Sequence, residues 1–485
     1  MHDHSRRTLV IASLATLATF LDTTVLFVAF PAISRTFTDA SPSQLSWVLN
    51  AYTIVFAALL IPAGKLADRV GHRQMFLAGS TVFTVASMAC GLAPSVEVLI
   101  GFRVLQAAGA AALIPSSLAL VMHAFAQDRL PRAVAIWGAA GAVAGALGPT
   151  AGAAIVEGLG WRWVLFLNLP VGIFTVVAGA RTMRESRDPE TRVPSLWGVG
   201  MVMAAAGLLS LGVVGSEEFG WLSTRTLAVL GAGLAVLALF VTHQQRTEAP
   251  VLDLDLFRIS NFTWGNITML VFGTAFAAMF FGSILFLTDV WGWSILQAGL
   301  GVAPGPLIVG IVAPQAGTLA GRIGQRPILL AGGALFALSG ALRLALLGAD
   351  VDYVGDYLPS VVLSGLAVAF CLPQLASVVA QALPRNRIGV GGAALQSIRQ
   401  FGGTFGVALT IAFLGSSSAL TDPVDAFDSI WWLIVAGGLG TCLLVLPMRT
   451  TINPRSGALP PTPQTTNAPS GATATSMTGA PTLPG

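Results

Sequence analysis

The chain has 485 residues, 54% of them hydrophobic and only 10% charged, with a formal net charge of +3 and a mean hydropathy of +0.78. A soluble globular domain carries about a quarter charged residues, so this composition excludes one and indicates a polytopic protein of the lipid bilayer. The small net charge, segregated by side as shown below, suits no nucleic acid. Cys90, Cys371 and Cys442 fall inside apolar segments as small packing residues, with no disulfide framework implied.

Arg6 and Arg7 precede an apolar stretch too long for a signal-peptide core and without a small-residue cleavage site, so the first helix is expected to stay uncleaved. Windows of about 20 apolar residues predict fourteen spans. They lie near 9–33, 45–63, 74–93, 97–125, 133–157, 162–180, 195–214, 225–243, 260–287, 294–320, 327–347, 356–380, 388–414 and 429–447. Of the 25 lysines and arginines, nineteen fall on the N-terminal side of these spans, three (Arg35, Arg162, Arg225) on opposite loops, and three (Arg103, Arg343, Arg399) within spans. The positive-inside rule then puts both termini in the cytoplasm. The opposite loops are acidic, with Glu217, Glu218, Asp350, Asp352, Asp356, Asp422, Asp425 and Asp428. The tail, rich in Pro, Thr, Ser, Gly and Ala from about Asn453, has too little apolar content to fold.

Helix 2 leads into Gly64-Lys65-Leu66-Ala67-Asp68-Arg69-Val70-Gly71-His72-Arg73-Gln74. The pattern returns 253 positions later, after helix 10, as Gly317-Thr318-Leu319-Ala320-Gly321-Arg322-Ile323-Gly324-Gln325-Arg326-Pro327. Anchoring of short loops explains the arginines but not the repeated glycine spacing. The offset pairs helices 1–6 with 9–14 and leaves helices 7 and 8 as an insert. A weaker echo, Leu130-Pro131-Arg132 and Leu383-Pro384-Arg385, stands by the glycine-rich helices 5 and 13.

The first loop copy resembles the signature of the Major Facilitator Superfamily, whose transporters are built from duplicated six-helix halves. Other motifs resemble its fourteen-helix drug:proton antiporter branch of multidrug efflux proteins. Leu21 to Pro31 on helix 1 is similar to the branch's first-helix signature, with Phe27 where an asparagine is usual. Arg103-Val104-Leu105-Gln106-Ala107 on helix 4 has Ala107 in place of a glycine, and helix 5 carries Gly141, Gly145, Gly148-Pro149 and Gly152. Trp161-Arg162-Trp163, Asn168 and Pro170-Val171-Gly172 look like the start of the branch's sixth helix. This resemblance covers nearly the whole chain. It implies an all-α fold of two six-helix bundles plus two inserted linker helices, working as a monomer in a bacterial plasma membrane. The expected divisions are a cytoplasmic N-terminus (1–8), an N-terminal bundle (9–180), a loop (181–194), the inserted helices (195–243), a loop (244–259), a C-terminal bundle (260–447) and a disordered tail (448–485).

Asp22 is the one acidic side chain in the interior of a span by this assignment. A carboxylate there costs about 3 kcal/mol on insertion scales, which marks it as functional by default. It either loads and releases a proton as its surroundings alternate between dry and wet, or caps a broken helix locally. At 1.5 Å per residue, Asp22 lies about 20 Å above the N-terminal end of helix 1 and Arg103 about 9 Å below the opposite end of helix 4; these depths coincide in a core of about 30 Å. Arg103 is expected either to pair with Asp22, with Gln106 in reach of both, or to snorkel.

On helix 5, Gly138, Gly141, Gly145, Gly148 and Gly152 step by 3, 4, 3 and 4 and share a face that another backbone can approach closely. That face is either static packing or a seam that breaks and reforms between the halves; Pro149 removes a helical hydrogen bond and bends the outer end. In the loop, Asp68 is expected to pair with arginines or cap a neighbouring helix and so latch the halves, while Arg69 and Arg73 latch with it or sit at anionic headgroups. Arg399 on helix 13, about eleven residues from its N-terminal-side end, must face a cavity or a partner, with Gln396 beside it. Arg343, near the end of helix 11, is expected to snorkel. Phe20, Phe27, Phe276 and Phe280 line an apolar pocket or face lipid.

The five histidines never join a cysteine or carboxylate at metal spacing, and no Gly-x-x-x-x-Gly-Lys-Ser/Thr loop occurs. Enzyme, metal-site and ATP-driven readings are therefore set aside, and no cofactor is expected beyond the proton gradient as energy source. The expected function is proton-coupled export of hydrophobic or amphipathic small molecules, drugs foremost. The alternatives are export of an envelope lipid or metabolite by the same mechanism, and a non-transporting sensor or scaffold that would have no need of Asp22.

Overall fold

The computed structural model describes residues 2–126, 129–187, 194–383, 387–416 and 424–449. Thirteen helices there are long and apolar enough to cross a membrane, or up to fourteen with a bent pair counted as one span. In chain order they are α1 (His2–Thr36), α2 (Pro42–Val70), α3 (His72–Gly91), α4 (Val96–Ala124) and α5 (Leu130–Leu159). Then come α6 (Trp161–Thr182), α7 (Leu196–Phe219), α8 (Thr224–Arg246), α9 (Ser260–Val290) and α10 (Ile295–Ile323). The last four are α11 (Gln325–Leu346), α12 (Tyr353–Gln381), α13 (Ile388–Ser416) and α14 (Asp425–Val445). They follow the fourteen apolar windows with ends displaced by a few residues. The tail beyond 449, Pro384, Arg385 and Asp422 lie outside the described residues.

Local chemistry sets the helix ends. Ser41 and Gln44 form a capping box at the start of α2, with Pro42 in its first turn, and Ser294 and Gln297 do the same for α10. Gly71 and Gly324, the same position of the repeated loop, both take a positive φ, 129° and 89°. A side chain rarely adopts that backbone, which explains the repeated glycine where one helix ends and the next begins. α5 bends by 44° between Gly145 and Leu147, where Pro149 cannot bond back to the carbonyl four residues earlier.

Packing repeats as the loops do. The pairs α1 with α5, α2 with α4, α3 with α4 and α3 with α6 recur as α9 with α13, α10 with α12, α11 with α12 and α11 with α14. A Cβ on Gly148 or Gly152 would collide with Thr24 or Val25 of α1, and one on Gly402 would come within 2.9 Å of the Leu270 carbonyl oxygen of α9. The glycine faces of α5 and α13 thus bring each against the first helix of its own half.

The halves meet along α2 and α13, where the hydroxyls of Thr53 and Thr404 lie 2.6 Å apart and Ser397 donates to the Ala57 carbonyl (2.9 Å). On the side away from the termini they meet again, along α5 and α10. Glu157 accepts from the Leu296 backbone N–H at 2.7 Å, a carboxylate capping the first turn of α10 from the other half. Gly299 there leaves room for Pro149 and Ala153. α7 packs on α8 and also against both α2 and α13. The loop after α8 touches both halves, Lys65 donating to the Pro250 carbonyl (3.0 Å) and Arg387 pairing with Asp253 (3.1 Å).

Candidate functional site: a buried carboxylate in the N-terminal half

Asp22 and Arg103 meet at the depth their positions on α1 and α4 dictate. Arg103 Nη1 donates to Asp22 Oδ2 at 2.6 Å and to Gln106 Oε1 at 2.6 Å. Gln106 Nε2 and Asn168 Nδ2 each donate to Asp22 Oδ1 at 2.9 Å. Asp22 is 2% exposed and Arg103 1%, so the arginine does not snorkel. Its Nε also donates to the Val48 carbonyl (3.2 Å), and the guanidinium carbon stands 4.0 Å over the Tyr52 ring. A carboxylate with three donors, one of them a cation, offsets much of the desolvation cost of burying the pair. Helices α4 and α6 thus meet α1 at this one carboxylate, and α2 joins through Arg103.

Asn168 is the member the sequence reading did not assign to the site. It stands where α6 breaks at Leu167, a polar residue at mid-span beside a turn, and that combination was the available signal. It also donates to Ser87 on α3 (3.0 Å), whose own proton goes to the Leu165 carbonyl (2.9 Å). A narrow cleft lined by Leu21, Asp22, Val25, Gly152, Val164 and Asn168 reaches the carboxylate from the α5 side.

The loop residues are arranged differently from expectation. Asp68 meets His72 one turn on (3.2 Å) rather than an arginine, and Arg69 is exposed. The acid that caps a helix here is Glu185, which follows α6. It accepts from the backbone N–H groups of Arg73 (2.9 Å) and Gln74 (3.2 Å) at the start of α3. Arg73 returns the tie by donating to the Ala180 carbonyl in the last turn of α6 (2.6 Å), and Gly64 faces Pro115 on α4. These contacts staple α2, α3, α4 and α6 of one half and do not cross to the other. Gly71 is required twice, by its φ of 129° and by the Glu185 carboxyl carbon 2.5 Å from where a Cβ would stand. Gly71→Ala is therefore expected to destabilise the protein by about 1–3 kcal/mol, read as a lower Tm in detergent; an unchanged Tm would show that the loop tolerates both strains.

The glycines of α5 also answer to their own half. Gly141 faces Phe20, and Gly148 and Gly152 face Thr24 and Val25, all on α1; nothing lies within 4 Å of a Cβ placed on Gly145. The contact across the halves falls on Pro149 and Ala153 against Gly299. The aromatic side chains face the opposite half: Phe27 lies 5.8 Å from Phe280, which neighbours Phe276 at 6.3 Å. Arg399 on α13 has its guanidinium carbon 5.9 Å from the Phe20 ring, across the same divide. Arg343 is 2% exposed and does not snorkel; it donates to Ser360 (3.1 Å) and Ser283 (2.8 Å) between the rings of Tyr357 and Trp431.

Two repeat-related six-helix halves, the N-terminal one holding a buried charge cluster, have the architecture of a polytopic membrane transport protein. Residues 12–407 match the Major Facilitator Superfamily, and the chain belongs to that family. It is 36% identical to the cephamycin export protein CmcT of Amycolatopsis lactamdurans over 85% of both chains. Identity is 34% to the multidrug resistance protein Stp of Mycobacterium tuberculosis H37Rv, over 86% of this chain and 77% of that one. It is 29% to the multidrug export protein EmrB of Escherichia coli K12, over 86% and 82%. Among solved structures, a bacterial homologue of the lysosomal transporter Spinster, inward-facing and unoccupied, superposes with a TM-score of 0.62 at 16% identity, covering 91% of this chain and 95% of that one. An auto-inhibited POT family peptide transporter gives 0.64 at 16% identity, over 92% and 98%. These two likenesses concern the fold alone.

Proposed function

We propose that the protein is a proton-coupled exporter of hydrophobic or amphipathic small molecules, antibiotics among them, working by alternating access with both termini in the cytoplasm. The single observation that carries this reading is the buried Asp22 carboxylate. From α1 it is the shared acceptor for donors on α4 and α6. The export relatives supply the substrate class.

A proton arriving at Asp22 removes the counter-charge of Arg103 and turns an acceptor oxygen into a donor facing donors. The bonds holding α1 to α4 and α6 weaken together. α1 carries Phe27 and Phe30, which pack on Phe281 of α9 at 5.9 and 4.9 Å on the side away from the termini. Protonation is thereby linked to the contacts that close that side, and proton release from Asp22 restores them. α7, lying over the α2 and α13 junction with α8 packed on it, tethers the two bundles from outside the pathway.

The Glu157 cap on α10 belongs to the same closure. Glu157→Ala removes an N-cap worth about 1 kcal/mol, which shifts a two-state balance about fivefold toward opening on that side. Spin labels on the facing ends of α5 and α10 should report a larger long-distance fraction in the variant; identical distance distributions would remove Glu157 from the gate. The function itself is tested by dye accumulation in cells with and without the gene. Lower accumulation with the gene, abolished by a protonophore, is expected; equal accumulation in both strains contradicts export.

A further inference from the structure

We infer that the substrates favoured by this exporter are amphipathic acids, held by Arg399 and Gln396 through acceptor oxygens of a carboxylate or similar anionic head. This rests on the exporter reading and adds the sign of charge to it.

The charges inside the spans are unevenly balanced. Asp22 is committed to Arg103, Gln106 and Asn168. Arg343 is sealed between two serine hydroxyls and two rings. Arg399 differs from both, because it forms no ion pair with any described carboxylate and its Nε is buried without an acceptor. One turn earlier on the same face of α13, Gln396 Nε2 is likewise a buried donor without an acceptor. Two unmatched donors standing together are costly, and an unpaired guanidinium near mid-membrane more so. Each would be relieved by the same thing, an anion with more than one acceptor oxygen.

Position puts the site at the divide between the two halves. Arg399 is about 16 Å along α13 from Ile388, near the middle of a core of about 30 Å. It is half-buried and approaches Phe20 of the other half. An acid seated there would lay its apolar body on the rings that line the same divide, Phe20 and then Phe27 and Phe280. A cationic amphipath would find the same apolar wall but a repelling guanidinium, with the one interior carboxylate of the N-terminal half already paired.

A matched pair of probes tests this: 1-pyrenebutyrate and 1-pyrenebutylammonium share one body and differ in the sign of the head. Binding to the full-length protein in phosphatidylcholine nanodiscs is read by energy transfer from tryptophan to pyrene. Tighter binding of the carboxylate to the wild type, by roughly tenfold, is expected from a charge-assisted pair. Arg399→Gln should erase that preference, chiefly by weakening the carboxylate and in smaller part by relieving the repulsion of the ammonium, Arg399→Lys should keep part of it, and Gln396→Leu should weaken the carboxylate by a smaller factor. A wild-type preference for the ammonium, or a ratio unmoved by Arg399→Gln in protein of unchanged Tm, overturns the inference and leaves the exporter standing. Failure of both probes to bind saturably overturns the binding site itself. Adding phosphatidylglycerol to the nanodiscs separates the sources of the anion: competition with pyrenebutyrate assigns the site to a lipid headgroup, and none assigns it to a soluble acid.

Discussion

Asp22→Asn is expected to abolish concentrative efflux while leaving downhill substrate exchange measurable. The amide has nearly the shape of the carboxylate but cannot take up and release a proton, so any step that needs the site to alternate in charge stops. The structure adds a cost. With the carboxylate gone, Arg103 keeps its charge at 1% exposure, and the introduced amide must turn its own N–H groups toward Arg103, Gln106 or Asn168, all donors. Breaking a buried pair in this way costs about 3–5 kcal/mol, so a lower Tm should accompany the loss of transport. A double variant with Arg103→Gln separates the two effects: it should recover stability beyond the sum of the single changes and remain unable to pump. Uphill transport by Asp22→Asn in reconstituted vesicles would remove Asp22 from coupling.

Gly145→Leu should block transport while leaving the Tm of the described state nearly unchanged. In this state a Cβ at position 145 meets nothing within 4 Å, whereas one at Gly152 collides with Val25. Static packing alone therefore predicts that Gly145 tolerates leucine and that Gly152→Leu costs about 1–3 kcal/mol or more through overpacking. If the α5 face must close on another helix when access alternates, Gly145→Leu wedges that second state only. Crosslinking across α5 and α10 distinguishes these cases. A Gly145→Leu protein that samples both states as freely as wild type would make this glycine a bystander.

What the sequence disclosed was what depends on spacing along single helices. Span order, the duplication and the coincidence of Asp22 with Arg103 follow from a rise of 1.5 Å per residue and the thickness of a bilayer. What stayed hidden depends on which neighbour a face meets. The glycine steps on α5 define a face, but its partner, α1 of the same half, follows from packing. Asp68 looked like the capping acid because it lies in the motif, yet His72 one turn on competes for it, and Glu185 arrives from a loop with no periodic signal. Arg343 looked like a snorkelling residue from its depth alone, since its serines and rings come from α9, α12 and α14. Asn168 was visible as part of a motif, and only the break in α6 turns it toward Asp22.

Proton exchange through Asp22 is the central claim, and one measurement tests it most directly. Protein reconstituted into vesicles containing a pH-sensitive dye is given an outwardly directed substrate gradient with no imposed proton gradient. Substrate leaving should draw protons inward, acidifying the lumen for the wild type and not for Asp22→Asn. Substrate efflux at full rate with no movement of protons in the wild type would contradict it.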